Sequence, residues 1–225
     1  MEKLKLGSIK KETVHQEAYR KLKQAILTGV LEGGRYYTEV ELANVLDISR
    51  TPVREAVKDL INDNLLEAVP RKGLVVKSFS DIEIEQVFLL RKIIECEMVK
   101  KVVSIVNQEM IEYLENIINE QQRMIEKNDQ ITFMILDQKF HNEMIRFTKY
   151  ELVEDTITKL HNLIRLFGHR AITEGGRMEE VIVEHQSMIE AMKSKDINLA
   201  VKAMEYHLAA TKKSLWRVEH KREEE

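Results

Sequence analysis

The chain has 225 residues, 44% hydrophobic and 32% charged, with a formal net charge of −3 at pH 7 and one cysteine. That length has room for one large or two ordinary domains with ample core, and no run of about 18 apolar residues is present to form a membrane span. Cys96, read as a small buried apolar side chain, excludes an internal disulfide and fits a reducing compartment; Met1-Glu2-Lys3-Leu4-Lys5-Leu6 lacks the apolar core of a signal peptide, so the expected location is the cytoplasm.

Both prolines and five of the eight glycines fall within residues 1–78. After Gly73 no proline occurs and only Gly168, Gly175 and Gly176 remain, so residues 79–225 can be almost wholly helical. The pair Thr13 and Gln16 forms a capping box that opens a helix over about 14–28, which Gly29 ends. Leu31-Glu32-Gly33-Gly34 is a turn, and Thr38 with Glu41 opens a second helix over about 39–46. Asp47-Ile48 turn the chain into a third helix, from 50 to about 63, with Ser49 as its cap and Pro52 tolerated in the first turn. This is a helix-turn-helix outline. Arg50 and Arg54, four apart, share a face beside Thr51. Long donors at the start of a short helix suit major-groove readout, arginine to guanine edges and hydroxyls or backbone amides to phosphate.

Leu65 to Val69 and Leu74 to Lys77 then read as short strands around a turn, Pro70-Arg71-Lys72-Gly73. A basic hairpin directly after a recognition helix is a wing, which gives Arg71 and Lys72 a phosphate or minor-groove role where an isolated basic turn would merely be solvated. Residues 1–78 carry 14 Lys+Arg against 11 Asp+Glu, a net of +3, and the remainder carries −6. With a surplus that small, affinity for double-stranded DNA needs two copies or good local placement of charge, and the expected assembly is a homodimer.

In the second half, Ser80 and Glu83 open a helix over about 81–104. Its stripe of Ile84, Val87, Phe88, Met98 and Val102 is interrupted by Arg91 and Glu95, an internal i,i+4 salt bridge or a grip on a ligand carboxylate. Three further stripes carry misplaced polar residues. Asp137 and His141 lie among Phe133, Leu136, Phe140, Met144 and Phe147 of a helix over about 131–147. His185 lies amid Met178, Val181, Ile182, Met188, Ile189 and Met192 of a helix over about 178–193. His207 lies among Ala200, Ala203, Met204, Leu208 and Leu215 of a last helix, begun after a cap at Asp196. Each is readable as a hydrogen-bonded core residue or ion-pair member. Together they are also readable as one carboxylate and three imidazoles converging on a divalent cation, which suits mixed nitrogen and oxygen donors. His161 and His169 are read as solvated or hydrogen-bonded on a helix flank, with His161 a weak pocket candidate.

Residues 13–77 resemble the winged-helix domain of GntR-type bacterial transcription regulators. Ser49 to Ala56 matches their SRTPVREAL-like recognition helix, with Val57 replacing the final leucine, and Glu41-Leu42-Ala43 resembles their ELA. The resemblance implies operator contacts by Arg50, Thr51 and Arg54, with Lys72 and Gly73 at the wing. Val40 stands where some members have an arginine, and Gly33-Gly34 replaces the usual proline-glycine turn. Asp137-Gln138-Lys139-Phe140-His141, Glu184-His185 and Tyr206-His207-Leu208 are similar to signatures of the FCD ligand-binding domain of the FadR subfamily. That resemblance implies a divalent metal, zinc first and nickel or manganese also, on Asp137, His141, His185 and His207. It makes Arg91, through its R-x3-E pair, a candidate for holding a small carboxylate effector. Tyr150 departs from a frequent asparagine without touching a ligand.

The expectation is a mainly α protein: an N-terminal winged helix-turn-helix (1–78) followed by an all-helical antiparallel bundle (79–225). It is read as a cytoplasmic, dimeric transcription regulator, more a repressor than an activator, and not an enzyme. The rivals are a metal-dependent enzyme with a DNA-binding appendage, which lacks an evident general base, and a regulator with a metal-free pocket. RNA binding is disfavoured by only 6% aromatic residues.

Overall fold

The computed structural model describes residues 13–168 and 175–220. The chain divides into two compact units between Lys77 and Ser78.

The first unit holds α1 (Val14–Leu27), β1 (Tyr36–Tyr37), α2 (Glu39–Leu46), α3 (Arg50–Asn62), β2 (Leu66–Val69) and β3 (Gly73–Val76). Thr13 forms its capping box in full, whereas Glu41 turns its carboxylate to Arg35 at 2.6 Å and leaves Thr38 with only the backbone bond. Asp47 takes a left-handed conformation, φ 53°, that ends α2 and starts the tight turn. Ser49 occupies the cap position of α3, yet its hydroxyl makes no capping bond and it is exposed. The predicted side-chain cap is therefore absent there, and extended backbone at Ser49 alone starts the helix. Val53, Ala56, Val57 and Leu60 form the buried stripe of α3, which turns Arg50, Thr51 and Arg54 to the opposite, exposed side.

The sheet order is β1-β3-β2, antiparallel throughout, with Val69 opposite Gly73 and Tyr37 opposite Leu74. Strand β1 is not legible in the sequence, because two residues are too short to show alternation. Gly73 sits at φ 115°, and a Cβ there would stand 2.5 Å from the carbonyl oxygen of Tyr37. Gly73→Ala is expected to destabilise this unit by roughly 1–3 kcal/mol through that strained backbone, read as a lower midpoint in denaturant unfolding. An unchanged midpoint would contradict the packing described.

The second unit is helical: α4 (Asp81–Ile105), α5 (Gln108–Glu126), α6 (Gln130–Phe147), α7 (Glu151–Gly168), α8 (Arg177–Lys193) and α9 (Ile197–His220). Ser80 caps α4 with the expected box, Asn107 caps α5, and the Asp196 side chain accepts from Leu199 N at the start of α9. Short left-handed turns at Asn128, Lys149 and Lys195 reverse the chain between helices. α4 packs on α9, α6 and α7, while α8 packs on α5 and α9. Lys212 pairs with Glu85 and Lys92 with Glu205, so α4 and α9 run antiparallel. The helices bury one cluster including Leu114, Phe133, Phe140, Met188, Met192 and Met204, and a second around Phe88, Ile157 and Ile164. Cys96 is buried and unpaired in the first cluster, and its thiol is pushed up to about 11 by burial and nearby carboxylates. Among the described residues no helix is long and apolar enough to cross a membrane.

Candidate functional site

The polar interruptions of α6, α8 and α9 meet inside the bundle. Asp137, His141, His185 and His207 each offer one ligand atom, and these atoms all lie within 4.8 Å of one another. His141 and His185 are fully buried, while 21% of the Asp137 side chain reaches solvent. Nε2 of His141 and Nε2 of His207 stand 3.1 Å apart, and Nε2 of His185 lies 3.4 Å from Oδ1 of Asp137. Phe140 stacks on the His185 ring with centroids 4.1 Å apart and holds its plane.

A second ring of groups fixes which nitrogen faces inward. Nδ1 of His141 lies 2.5 Å from Glu95 Oε2, and Nδ1 of His207 donates to Glu184 Oε2 at 2.7 Å. Nδ1 of His185 donates to Gln121 Oε1 at 3.0 Å. With each Nδ1 carrying the proton toward an acceptor, each Nε2 presents a lone pair to the common point. Two such lone pairs facing each other at 3.1 Å repel unless a proton or a cation lies between them. Burial opposes the proton: it lowers the pKa of both His185 and His207, with only partial compensation from Asp137 and Glu184. Desolvation also works against the Asp137 carboxylate, but His185, 3.4 Å away, and then the other nearby imidazoles hold it well below the usual range. A set of three neutral imidazoles and one carboxylate matches the donor chemistry of a divalent cation.

Arg91 and Glu95 form the internal pair, Nε to Oε1 at 2.5 Å, both buried, while Nη2 of Arg91 has no hydrogen-bond partner. Burial opposes the Glu95 charge, yet Arg91 and then His141 hold its carboxyl well below the usual range. His161 is more central than the sequence suggested, because α7 turns it inward. It is 2% exposed, its Nδ1 meets Asn142 Oδ1 at 3.0 Å, and its Nε2 lies 3.4 Å from Glu95 Oε1. Burial and then the Arg91 charge push His161 down to about 4. His169 lies outside the described residues.

Several partners went unassigned in the sequence. Arg177 clamps Glu184 through two bonds, 2.6 and 2.9 Å, and so orients the carboxylate that holds His207. Gln121 was legible in principle, three residues beyond Ile118 and seven beyond Leu114 on the stripe of α5.

On the first unit, Arg50 and Arg54 project from the start of α3, more than half exposed. Nε of Arg54 donates to Glu39 Oε2 at 3.1 Å, and Arg50 Nη2 lies 3.7 Å from the same oxygen. Glu39, which no local spacing singles out, thus gathers both guanidinium groups at one carboxylate. Arg71 adopts φ 65° at the exposed hairpin tip, and Lys72 Nζ lies 5.3 Å from the Tyr36 ring centroid. Exposed ion pairs are worth roughly 0.2–1 kcal/mol, so Glu39→Gln is expected to tighten DNA binding by no more than about fivefold while reducing discrimination between sequences. Fluorescence anisotropy with matched and scrambled duplexes measures both; a loss of affinity would refute the restraining role.

The model for "Bacterial regulatory proteins, gntR family" matches residues 14–76, and the FCD domain model matches residues 86–210, more than half of the chain. The chain belongs to the GntR family. Like others of its kind, this GntR protein is a DNA-binding transcriptional regulator with an FCD domain, not an enzyme. It is 27% identical over 179 residues to the HTH-type transcriptional regulator YdhC of Bacillus subtilis (strain 168), covering 79% of this chain and 80% of that one. It is 24% identical over 204 residues to the HTH-type transcriptional repressor RspR of Escherichia coli (strain K12), covering 91% and 90%. The gluconate operon transcriptional repressor of Bacillus subtilis (strain 168) is 25% identical over 190 residues, covering 81% and 77%. The solved structure of E. coli McbR/YncC shares the fold, with a TM-score of 0.80, 20% identity, and coverage of 91% of this chain and 98% of that one.

Proposed function

We propose that this GntR regulator is a cytoplasmic homodimeric repressor whose operator affinity is set by a small carboxylate effector at a metal site in the FCD domain. Asp137, His141, His185 and His207 would hold one divalent cation, zinc by preference, with nickel or manganese also suited to the donors. The facing Nε2 atoms of His141 and His207, 3.1 Å apart with both Nδ1 atoms turned to carboxylates, carry this reading. A bound cation supplies Lewis acidity and open positions for an oxygen ligand. Arg91, already beside the centre and holding a spare buried Nη2, is the candidate for gripping the effector's carboxylate.

Residues 1–78 would read double-stranded operator DNA through Ser49, Arg50, Thr51 and Arg54 in the major groove. Arg71, Lys72 and Gly73 would lie along the backbone at the wing, one copy per half-site. The effector changes operator affinity only through its different affinities for the two arrangements of the dimer. That RspR and the gluconate operon protein are repressors supports the sign. Elemental analysis of protein purified without a histidine tag should find about one divalent metal per chain. Absence of metal, together with no uptake of zinc in equilibrium dialysis, would leave the alternative in which a protonated histidine pair replaces the cation.

A further inference from the structure

Arg177 is the first residue of α8, where a cation opposes the helix dipole, and it is nonetheless buried, with 4% exposure. Packing rather than helix propensity holds it there. Glu180 and Glu184 follow at three and seven residues, one and two turns along the same face. Nη1 of Arg177 donates to Glu184 Oε1 at 2.6 Å and Nη2 to Glu184 Oε2 at 2.9 Å, a two-point fork on a buried carboxylate. Nη2 also donates to Thr211 Oγ1 at 3.0 Å, and Nη1 to Glu180 Oε2 at 3.0 Å. Thr211 lies one turn beyond His207 on α9.

Glu184 Oε2 is the same oxygen that accepts from His207 Nδ1 at 2.7 Å. A line of hydrogen bonds therefore runs from Thr211 through Arg177 and Glu184 to His207, closing across α8 and α9. The order arginine, glutamate, histidine recurs at Arg91, Glu95 and His141, but there a single guanidinium nitrogen holds the carboxylate. At His185 the partner of Nδ1 is a neutral amide, Gln121. A carboxylate gripped at both oxygens keeps its plane, and with it the direction from which the imidazole is held.

We infer that Arg177 is a positioning residue of the metal centre. Acting through Glu184, it fixes the plane and tautomer of the His207 ring, so that Nε2 presents its lone pair to a cation. The inference rests on the metal reading above and deepens it by naming what sets the affinity of that site.

Metal-free full-length protein, shown to be folded by circular dichroism, is to be titrated with zinc against a chromophoric chelator. Arg177→Lys keeps the charge but loses the fork, and should weaken zinc by roughly tenfold or more while about one zinc per chain still binds at saturation. Thr211→Val frees the guanidinium from α9 and should weaken zinc in the same direction but by less. Glu180→Gln removes an ion pair whose carboxylate is 67% exposed, and should leave the affinity within about twofold of wild type. Arg177→Met should lose up to about a hundredfold; should it fail to fold, Arg177→Lys and Thr211→Val carry the comparison. A purely structural role would lower the thermal midpoint without moving the zinc affinity of the folded protein, so an Arg177→Lys affinity within about twofold of wild type overturns the inference. Equal losses in Glu180→Gln and Arg177→Lys also overturn it, since they would assign the effect to charge rather than orientation. Imidazole nitrogen NMR of the metal-free protein gives a readout that needs no cation. His207 should carry a proton on Nδ1 in the wild type and lose that preference in Arg177→Lys. If the wild type takes up no zinc, the metal reading fails and this spectrum decides, an unchanged Nδ1 signal overturning the positioning role.

Discussion

His185→Ala is expected to reduce bound metal from about one per chain to a small fraction and to abolish the thermal stabilisation that added metal gives the wild type. The imidazole is fully buried, its Nε2 has no hydrogen-bond partner, and that atom faces Asp137 at 3.4 Å. Removing it takes away one donor of four and leaves Asp137 without the imidazole that faces it. A ligand present at a thousand times its dissociation constant stabilises the folded state by about 4 kcal/mol, and one kcal/mol moves the midpoint of a domain this size by roughly 2–4 °C. Wild-type protein should therefore gain roughly 8–16 °C on saturation with zinc, and the variant almost nothing. The variant also loses the stack on Phe140 and unsatisfies Gln121, so its metal-free midpoint is the necessary baseline. An equal zinc shift in both proteins would show that the cation binds elsewhere. The same scans on Asp137→Asn, which keeps the shape of the site, separate lost charge from lost packing.

Arg54→Ala should weaken operator binding by roughly 1–3 kcal/mol and flatten preference among sequences, with Arg50→Ala similar in direction. Both side chains are exposed at the start of α3, and in free protein both lean on Glu39. Truncating Arg54 removes a groove donor and also leaves Glu39 partly unscreened near the phosphates, so the loss should fall toward the larger end. Lys72→Ala should act differently, weakening operator and random duplexes alike and reducing the magnitude of the slope of log affinity against log salt by about 1. Binding measured at several salt concentrations on both duplexes distinguishes the two kinds of contact. Equal losses on operator and random DNA for both arginines would sink base readout by α3.

The local signals were legible residue by residue. The capping boxes at Thr13 and Ser80, the glycine at 29 and the first-turn proline at 52 set helices whose observed bounds lie within about two residues of expectation. The cap at Ser49 misled only in chemistry, since the position was right and the hydroxyl bond is absent. Strand β1 was invisible because Tyr36 and Tyr37 become a strand only by pairing with Val75 and Leu74, far along the chain. The four seam residues Asp137, His141, His185 and His207 stood out as polar positions in apolar stripes, a pattern that survives in one dimension because burial follows helical period.

Composition and periodicity alone determined that the chain is two-part, that its N-terminal part carries a basic helix and hairpin, and that polar groups lie in the seams of a helical remainder. Only the tertiary structure decided that these seams meet at one point and that Glu95, Gln121 and Glu184 turn every Nε2 inward. The same holds for His161 lying inside rather than on a flank. The reason is physical: a helix face follows from spacing within one segment, whereas the partner of a buried charge is set by which other helix packs against it and in which direction.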